Sequence, residues 1–261
     1  MDAYTDFAYV YDTFMDATPY EEWATFIEQT IEKYGISKPE KNTDTLASER
    51  NLVLDLGCGT GTLTEMLAAK GYDMIGIDNS EAMLELAMKK RDEAGHETLY
   101  LLQDMREIEL YSTIGTVLSV CDSLNYILEK EELLQVFRLV HNYLFPGGIF
   151  IFDFNTVYKY AQVIGDTTIA ENRDECSFIW ENYYYPEEAV NEYEVTVFVK
   201  EKEDIYRKFS ETHYQRGYTV EEMKTLVEKA GFSVKEILDA DTRKAPTAES
   251  ERVYIVAGKA V

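Results

Sequence analysis

Glycines at a regular spacing follow a short apolar run, and this combination predicts a ligand-binding turn. Residues 53–61 read V-L-D-L-G-C-G-T-G, and residues 62–70 have the pattern of a helix. Glycines let backbone N–H groups approach a ligand closely, and the start of a helix adds a partial positive charge. We expect ligand contacts from all residues of this turn, hereafter the glycine loop: Gly57, Cys58, Gly59, Thr60 and Gly61.

Two acids beside the glycine loop narrow the class of ligand. Asp55 lies inside the apolar run, where a carboxylate would repel a pyrophosphate but suit a cationic or hydrogen-bond-donating ligand. Thr62 stands where the G-x-G-x-x-G loop of dinucleotide folds has glycine. Asp78 ends the next apolar run, where an acid can accept both hydroxyls of a ribose. The alternative is that Asp78 only opens the turn before the helix cap Ser80.

Four segments, in this order and spacing, resemble the class I S-adenosylmethionine-dependent methyltransferases. They are V-L-D-L-G-C-G-T-G at 53–61, G-I-D-N-S-E-A-M-L at 76–84, Q-D-M at 103–105 and L-F-P-G-G at 144–148. The opening F-A-Y-V-Y-D at 7–12 is similar to a subgroup that includes glycine N-methyltransferase-like enzymes and sugar N,N-dimethyltransferases.

The resemblance implies that the cofactor is S-adenosylmethionine and assigns residues to its parts. The glycine loop would hold the methionine end and Asp78 the ribose. Asp104 would bind the adenine amino group, with Met105 beside the ring. The remaining cofactor contacts are expected from residues at the carboxyl ends of the strands and the helix that follows: Asp55, Asn79, Met83, Cys121 and Asp122.

Alternation of apolar strands and amphipathic helices from residue 51 onwards predicts an α/β fold with a parallel sheet covered on both faces. With the resemblance, the expectation is a Rossmann-like, seven-stranded, mostly parallel sheet in a three-layer αβα sandwich. A small antiparallel β insertion is expected after the fifth strand. The predicted domains are an N-terminal helical lid at 1–48, a cofactor-binding domain at 49–156 and 217–261, and the insertion at 157–216.

Two helix starts carry the pattern of a capping box, in which a Ser or Thr side chain and an acid three residues later satisfy each other's backbone N–H groups. Thr18 with Glu21 predicts the start of a helix that runs to residue 34. Thr219 with Glu222 predicts the start of another after the insertion.

Methyl transfer from a sulfonium requires orientation and exclusion of water, with a base only for a protonated acceptor. Tyr11 is a candidate catalytic residue because related proteins place a tyrosine of this segment over the methyl group; Tyr4 and Tyr9 are weaker candidates. The alternative is that these rings are ordinary core. Asn125 and Tyr126, after the fourth strand, are expected to face the acceptor, unless their loop only packs on the next helix.

A polar row in the insertion supplies further candidates. His213 lies on a predicted strand with Glu211 and Gln215 on the same face, and it is a candidate base or substrate ligand. Arg216 lies three residues after His213, so in a regular strand the two side chains point to opposite faces. Arg216 nevertheless remains a candidate substrate ligand. Some related sugar N-methyltransferases carry histidine where Tyr126 stands, which puts a histidine base at that position in doubt.

The bulk composition excludes several functions. There are 49 acidic and 25 basic residues, for a formal net charge of −24, which disfavours a nucleic-acid partner. The acids either keep the protein in solution or attract a cationic substrate. Cys58, Cys121 and Cys176 are too far apart for a disulfide framework or a zinc site, so we expect no metal and a reducing, cytoplasmic location. Neither a signal peptide nor a membrane span is predicted.

The expected function is transfer of a methyl group to an amine or hydroxyl of a small molecule. Two alternatives stay open. One is methylation of RNA or of a ribosome-associated protein, and the other is a non-catalytic, cofactor-binding scaffold with the same fold. The sequence names neither the acceptor nor the oligomeric state.

Overall fold

The structure, a computed structural model, describes residues 7–39 and 45–261. The strands in this part of the chain are β1 (Leu52–Leu56), β2 (Asp73–Asp78), β3 (Leu99–Leu102), β4 (Ile114–Ser119), β5 (Leu144–Asn155), β6 (Thr168–Asn172), β7 (Cys176–Tyr185), β8 (Val190–Lys202), β9 (Ile205–Arg216), β10 (Ser233–Asp239) and β11 (Arg252–Gly258). The α-helices are α1 (Ala8–Phe14), α2 (Tyr20–Tyr34), α3 (Thr45–Asn51), α4 (Thr62–Ala69), α5 (Glu81–Ala94), α6 (Lys130–Tyr143) and α7 (Val220–Lys229).

The larger sheet has seven strands in the order β3-β2-β1-β4-β5-β11-β10. The strands from β3 to β5 pair in parallel, whereas β11 runs antiparallel to both β5 and β10. The predicted Rossmann-like α/β class is therefore confirmed. Successive connections leave β1 and β4 in opposite directions, and such a switch point opens a crevice beyond the carboxyl ends of the strands.

Helices cover both faces of this sheet and make it the middle of three layers. On one face, Leu54 and Phe152 belong to the same buried cluster as Phe137 of α6. On the other face, Val53 packs in a cluster with Ile27 of α2. Because α2 forms part of this outer layer, α1 is the only α-helix of the predicted lid at 1–48, among the described residues, that lies apart from the sheet and remains a candidate lid. Residues 1–6 and 40–44 of that range lie outside the described residues. The domain boundaries themselves stay a prediction.

The second sheet is the predicted insertion, with four antiparallel strands in the order β6-β7-β8-β9. It starts at β6, within the predicted range of 157–216. Its inner face buries Phe178, Tyr193 and Val195 together with Tyr160, and Val10 of α1 belongs to the same cluster. Apolar residues of α1 therefore pack with the insertion, and the same helix also contacts α5. No helix in the described ranges has the length and apolar composition needed to cross a membrane.

The two predicted capping boxes have different outcomes. At α7, the Thr219 hydroxyl accepts the Glu222 N–H at 3.2 Å and the Glu222 carboxylate accepts the Thr219 N–H at 2.8 Å, so this box is confirmed. At α2 the prediction is wrong, because the residue that precedes the helix is Pro19 and no side chain caps it. The Thr18 hydroxyl points to the sulfur of Met15 instead.

Asn125 joins the two sheets through one buried amide. Its Nδ2 donates to the carbonyl oxygens of Asn155 at 2.9 Å and Arg216 at 2.6 Å. Its Oδ1 accepts the Asn155 N–H at 2.9 Å. The end of β5 and the end of β9 are thus fastened to the segment that follows β4. The expectation that Asn125 binds the acceptor is not supported, because the side chain is fully buried and its polar atoms are used inside the protein.

Replacing this amide tests its role. Asn125→Ala would leave buried backbone groups without partners, and we expect the free energy of unfolding to fall by about 2–4 kcal/mol. Urea unfolding at constant pH measures the change. The control is Asn142→Ala on α6, an exposed site where we expect a change below about 0.5 kcal/mol. Equal effects of the two substitutions would contradict the proposed role of Asn125.

Candidate active site

A cavity of about 250 Å³ lies at the carboxyl ends of β1, β2 and β4. Most of the predicted site residues line it: Tyr11, Asp55, Gly57, Cys58, Gly59, Thr60, Asp78, Asn79, Met83, Asp104, Met105, Cys121 and Tyr126. The other predicted site residues are absent from its wall: Gly61, Asp122, Asn125, His213 and Arg216. Several wall residues were missed by the sequence analysis, most notably Tyr20, Trp23, Arg106 and Ser123.

The glycine loop is held against β2 and is open towards the cavity. The N–H groups of Gly57 and Cys58 donate to the carbonyl oxygen of Ile77 at 2.8 and 3.0 Å. Gly59 has a positive φ of 54° and nothing within 4 Å of the place where a side chain would begin. Gly61 has a different requirement, because a Cβ there would lie 2.4 Å from the hydroxyl of Tyr100. Its lack of a side chain serves packing rather than ligand contact.

Two carboxylates, the buried Asp55 and the half-buried Asp78, face the cavity beside this loop. Asp78 accepts the N–H groups of Gly59 at 2.8 Å and Ser80 at 2.9 Å, while burial raises the pKa of its carboxyl. Asp55 accepts the hydroxyl of Thr64 at 2.6 Å, and burial raises its pKa to about 6, with a further contribution from Asp78. No basic side chain among the described residues forms an ion pair with either acid. A pair of this kind favours a cationic ligand.

At the opposite end of the cavity, Asp104 is paired with a basic residue. Arg106 donates from Nη2 to Asp104 Oδ2 at 2.6 Å and from its backbone N–H to Asp104 Oδ1 at 2.8 Å. The guanidinium also lies 3.3 Å from Glu132 of α6. Arg106 holds the pKa of the Asp104 carboxyl below its usual range. Asp104 therefore stays ionised at neutral pH, and a further donor would have to share its oxygens with Arg106.

The remaining wall consists of aromatic residues and a thiol. The hydroxyl of Tyr11 on α1 forms hydrogen bonds with Tyr20 and with the thiol of Cys121. Burial raises the pKa of Cys121 to about 12, and the carboxylate of Asp122 acts in the same direction. Cys121 is therefore a neutral thiol at physiological pH and lacks the thiolate that nucleophilic attack requires.

A buried ion pair that was not predicted fixes this wall. Asp153 of β5 is fully buried and accepts the N–H groups of Cys121 at 3.1 Å and Asp122 at 2.8 Å. Arg252 of β11 donates to the same carboxylate and lies over the ring of Trp23, 4.5 Å from its centroid. The available signal was an acid inside the strongly apolar run of residues 149–154.

A second unpredicted contact attaches α1 to the glycine loop. The carboxylate of Asp12 accepts the hydroxyl of Thr60 at 2.6 Å and forms an ion pair of 2.6 Å with Lys90 of α5. Lys90 also donates to the hydroxyls of Thr60 at 2.9 Å and Thr62 at 2.6 Å. The helix that carries Tyr11 is thus connected directly to the loop expected to bind the cofactor. Tyr4 lies outside the described residues, and Tyr9 is 60% exposed.

Asp122 lies behind the cavity wall in a polar network of the insertion. Its Oδ2 accepts Nε2 of Gln215 at 2.6 Å, and Gln215 Oε1 accepts the hydroxyls of Tyr160, at 2.6 Å, and Tyr193. Burial raises the pKa of Asp122, and the positive charges of Lys159 and other bases oppose this shift. Asp122 nevertheless keeps some accessible surface, so one side of it faces open space rather than packed atoms.

The structure brings His213 to Tyr126 and leaves Arg216 elsewhere. His213 Nδ1 lies 3.5 Å from the Tyr126 hydroxyl, and the two rings meet edge to face at 6.0 Å. Arg216 donates to the carbonyl oxygen of Leu128 at 2.8 Å and lies over the ring of Tyr218. This arrangement does not support acceptor binding by Arg216. Within the described ranges there is no cluster of His, Cys, Asp and Glu suited to a metal ion.

Comparisons with known proteins identify the family. A model of the methyltransferase domain matches residues 53–148. A protein named as a methyltransferase in Geobacillus sp. (strain WCH70) is 35% identical over 256 residues, covering 98% of this chain and 99% of the relative. The crystal structure of an S-adenosylmethionine-dependent methyltransferase from Clostridium acetobutylicum ATCC 824 is 27% identical, covers 100% of both chains and has a TM-score of 0.84.

This chain belongs to the class I S-adenosylmethionine-dependent methyltransferases, as the sequence motifs predict, and S-adenosylmethionine is its cofactor. A more distant partial similarity concerns a dTDP-3-amino-3,4,6-trideoxy-alpha-D-glucopyranose N,N-dimethyltransferase of Streptomyces venezuelae. That protein is 34% identical over 103 residues, which are 40% of this chain and 42% of the relative. The site fits the cofactor on its own chemistry, because S-adenosylmethionine carries positive charge and the cavity presents two carboxylates, the buried Asp55 and the half-buried Asp78, which form no ion pair with the described residues.

The raised pKa of Asp55 predicts a pH-dependent stability. The Asp55 carboxyl keeps its proton up to about pH 6 in the folded state but only up to about pH 4 in the unfolded chain. The free energy of unfolding therefore falls as the pH rises from about 4 to about 6. Asp55→Asn has no such proton, so between pH 4 and pH 7.5 we expect its free energy of unfolding to rise by about 2–3 kcal/mol relative to that of the native protein.

Denaturant unfolding without cofactor at both pH values measures this gain. The matched control is Asp73→Asn, because Asp73 is an exposed acid at the other end of the neighbouring strand β2. The free energy of unfolding of this variant, relative to that of the native protein, should change little with pH. A pH-independent difference for Asp55→Asn would show that its proton is not held more tightly in the folded state.

Proposed function

We propose that this methyltransferase transfers a methyl group to an amine or hydroxyl of a small molecule. The observation that carries the proposal is the composition of the cavity of about 250 Å³. One part of its wall holds the residues expected to bind the cofactor, and the next part holds Tyr11, Cys121 and Tyr126 beneath α1. A methyl group at the junction of these parts would be enclosed by side chains and shielded from water.

The proposed roles follow the positions along the cavity. Asp55 and the glycine loop would hold the positively charged methionine end, and Asp78 would accept the ribose hydroxyls. Asp104 would bind the adenine amino group, with Met105 against the ring and Arg106 keeping the acid ionised. Bound S-adenosylmethionine supplies a methyl group already activated on a sulfonium, so the remaining work of the protein is to orient the acceptor and exclude water.

The acceptor is proposed to enter between α1 and the insertion, where the structure has polar and aromatic groups. Tyr11 and Tyr126 would contact it, and Asp122, a partly exposed residue, lies in the polar network behind the cavity wall. A carboxylate at this depth and a net charge of −24 both favour an acceptor that carries an amine. The partial similarity to an amino-sugar N,N-dimethyltransferase supports the same class of acceptor.

The alternatives are weaker on the same observations. An RNA acceptor requires basic groups that neutralise phosphates, and the chain carries nearly two acids for each base. A scaffold without catalysis does not require Tyr11 and Tyr126 in the cavity wall beside the residues expected to bind the cofactor.

Turnover with defined acceptors tests the proposal. We expect S-adenosylhomocysteine to form when the enzyme, S-adenosylmethionine and a panel of amino sugars and small amines or alcohols are incubated together. If none of these small molecules gives product but RNA does so in low salt, the acceptor is a nucleic acid. Tight cofactor binding without any turnover would favour the scaffold.

Cofactor binding has a separate test at Asp78. Asp78→Ala should weaken binding of S-adenosylhomocysteine about 5- to 150-fold, which corresponds to the loss of one or two charge-assisted hydrogen bonds of about 1–3 kcal/mol. Isothermal titration calorimetry at constant pH measures the dissociation constants. Asp73→Ala, at the other end of the same strand, should bind as the native protein does. Unchanged affinity in Asp78→Ala would remove Asp78 from the cofactor site.

A further inference from the structure

Three side chains from two parts of the fold form a chain that leads from the cavity into the protein. Tyr126, in the helical turn after β4, lines the cavity. Its hydroxyl lies 3.5 Å from Nδ1 of His213 on β9. Nε2 of the same imidazole lies 3.4 Å from Oε2 of Glu211. Both distances are long, as is common for catalytic hydrogen bonds before the substrates bind.

Burial makes these contacts stronger than they would be at a surface. The side chains of His213 and Glu211 are 3% and 9% exposed. A carboxylate in such a place needs hydrogen-bond donors, and the second oxygen of Glu211 accepts the backbone N–H of Phe7 at 3.0 Å. One carboxylate oxygen of Glu211 therefore faces the imidazole, and the other accepts the N–H of Phe7, the residue just before α1.

The surroundings of the imidazole contain few other charges among the described residues. Tyr193 is its register partner on β8, and the hydroxyl of Tyr193 donates to Gln215. Gln215 connects in turn to Asp122, the nearest other acid of this network, and Lys159 donates to Asn155 rather than to the imidazole. Glu211 is thus the acid in direct contact with His213.

A carboxylate at one imidazole nitrogen determines which nitrogen carries the proton. With Glu211 at Nε2, the neutral ring is stable with its proton on Nε2, and Nδ1 is left as an acceptor for the hydroxyl of Tyr126. The same carboxylate stabilises the imidazolium when Nδ1 gains a proton.

We propose that Tyr126, His213 and Glu211 form a relay that removes the proton of the methyl acceptor. This inference rests on the proposed function, because it requires an acceptor whose nitrogen or oxygen carries a proton that must leave. Tyr126 is the catalytic residue that touches the acceptor. His213 takes the proton through Tyr126, and Glu211 is a positioning residue.

The proton balance of the step is complete. For an ammonium acceptor, the N–H bond breaks and its proton passes to the oxygen of Tyr126, while the proton of that hydroxyl passes to Nδ1 of His213. The nitrogen regains its lone pair and attacks the methyl group, and the carbon–sulfur bond breaks with its electron pair on sulfur. The imidazolium is left with one proton on each nitrogen and Glu211 as its counter-ion.

The contact with Phe7 connects the relay to the lid. Glu211 receives the Phe7 N–H only when the start of α1 lies against β9. The carboxylate that fixes the imidazole is therefore itself fixed by the helix that closes the cavity, so the base is best ordered in the closed enzyme.

Nitrogen NMR of the histidine rings tests this arrangement without any acceptor. The full-length enzyme is labelled with ¹⁵N and saturated with S-adenosylhomocysteine, and His213→Gln identifies the signal among the three histidines. We expect His213 to carry its proton on Nε2, and we expect Glu211→Gln to weaken this preference, because a neutral amide is a poorer acceptor than a carboxylate.

The control variant is Glu194→Gln, which removes the same charge from the exposed face of the neighbouring strand β8 and should leave the His213 tautomer unchanged. A proton on Nδ1, or the same preference for Nε2 in Glu211→Gln and in the native enzyme, would overturn the relay. Circular dichroism and cofactor affinity establish that each variant is folded.

Kinetics separates the relay from the proposed function. With an acceptor found by the turnover assay, Glu211→Gln should lower kcat about 10-fold or more, with KM for S-adenosylmethionine unchanged. The native kcat in Glu211→Gln would sink the relay while leaving the methyltransferase assignment intact. Failure of all acceptors would instead count against the proposed function, and the NMR result would still decide the geometry.

Discussion

Two consecutive residues at the end of β4, Cys121 and Asp122, have φ angles of 69° and 53°, a left-handed conformation that disfavours side chains by about 1–2 kcal/mol each. The carboxylate of Asp153 accepts both of their N–H groups, and Arg252 neutralises that carboxylate from β11. Because removal of one partner of a buried ion pair leaves an uncompensated charge, this pair cannot be altered at one residue without large cost. The positions of the Cys121 thiol, of Tyr126 and of the insertion all depend on the ion pair of Asp153 with Arg252.

The two halves of the cavity are held by different means. The half that we propose binds the cofactor consists of backbone N–H groups and acids at the ends of β1 and β2, which the parallel sheet aligns. The half that we propose binds the acceptor consists of side chains from α1 and the segment after β4, which are distant in sequence. Rigid backbone suits a constant ligand such as the cofactor, whereas a wall of side chains can differ between relatives that share the same fold.

Most residues that the sequence predicts for the cofactor site line one cavity in the structure, because their signals are local. The glycine loop, Asp55 and Asp78 follow strands whose apolar runs are visible, and the capping box at Thr219 depends on residues three positions apart. The capping-box pattern was wrong at Thr18, because Pro19 precedes the helix and the Thr18 hydroxyl donates to the sulfur of Met15.

The acceptor half could not be predicted in the same way, because its contacts join residues with large separations in sequence. Asp12 with Lys90, and Asp153 with Arg252, are pairs that no spacing rule reveals. Asn125 had the right location for an acceptor ligand, yet its amide is used by three backbone groups of the protein. His213 was a candidate because of the polar row on its predicted strand, and only the structure places it beside Tyr126.

The attachment of the insertion at the ends of β5 and β9 has a consequence for how such enzymes diversify. Asn125 and Gln215 connect this sheet to the segment after β4, and neither touches the glycine loop. Substitutions on the inner face of β7, β8 and β9 can therefore reshape the acceptor pocket while cofactor affinity is retained. Over evolutionary time, a duplicated gene of this architecture could acquire a new acceptor by drift in one sheet, with the ancestral methyl-donor site carried along unchanged.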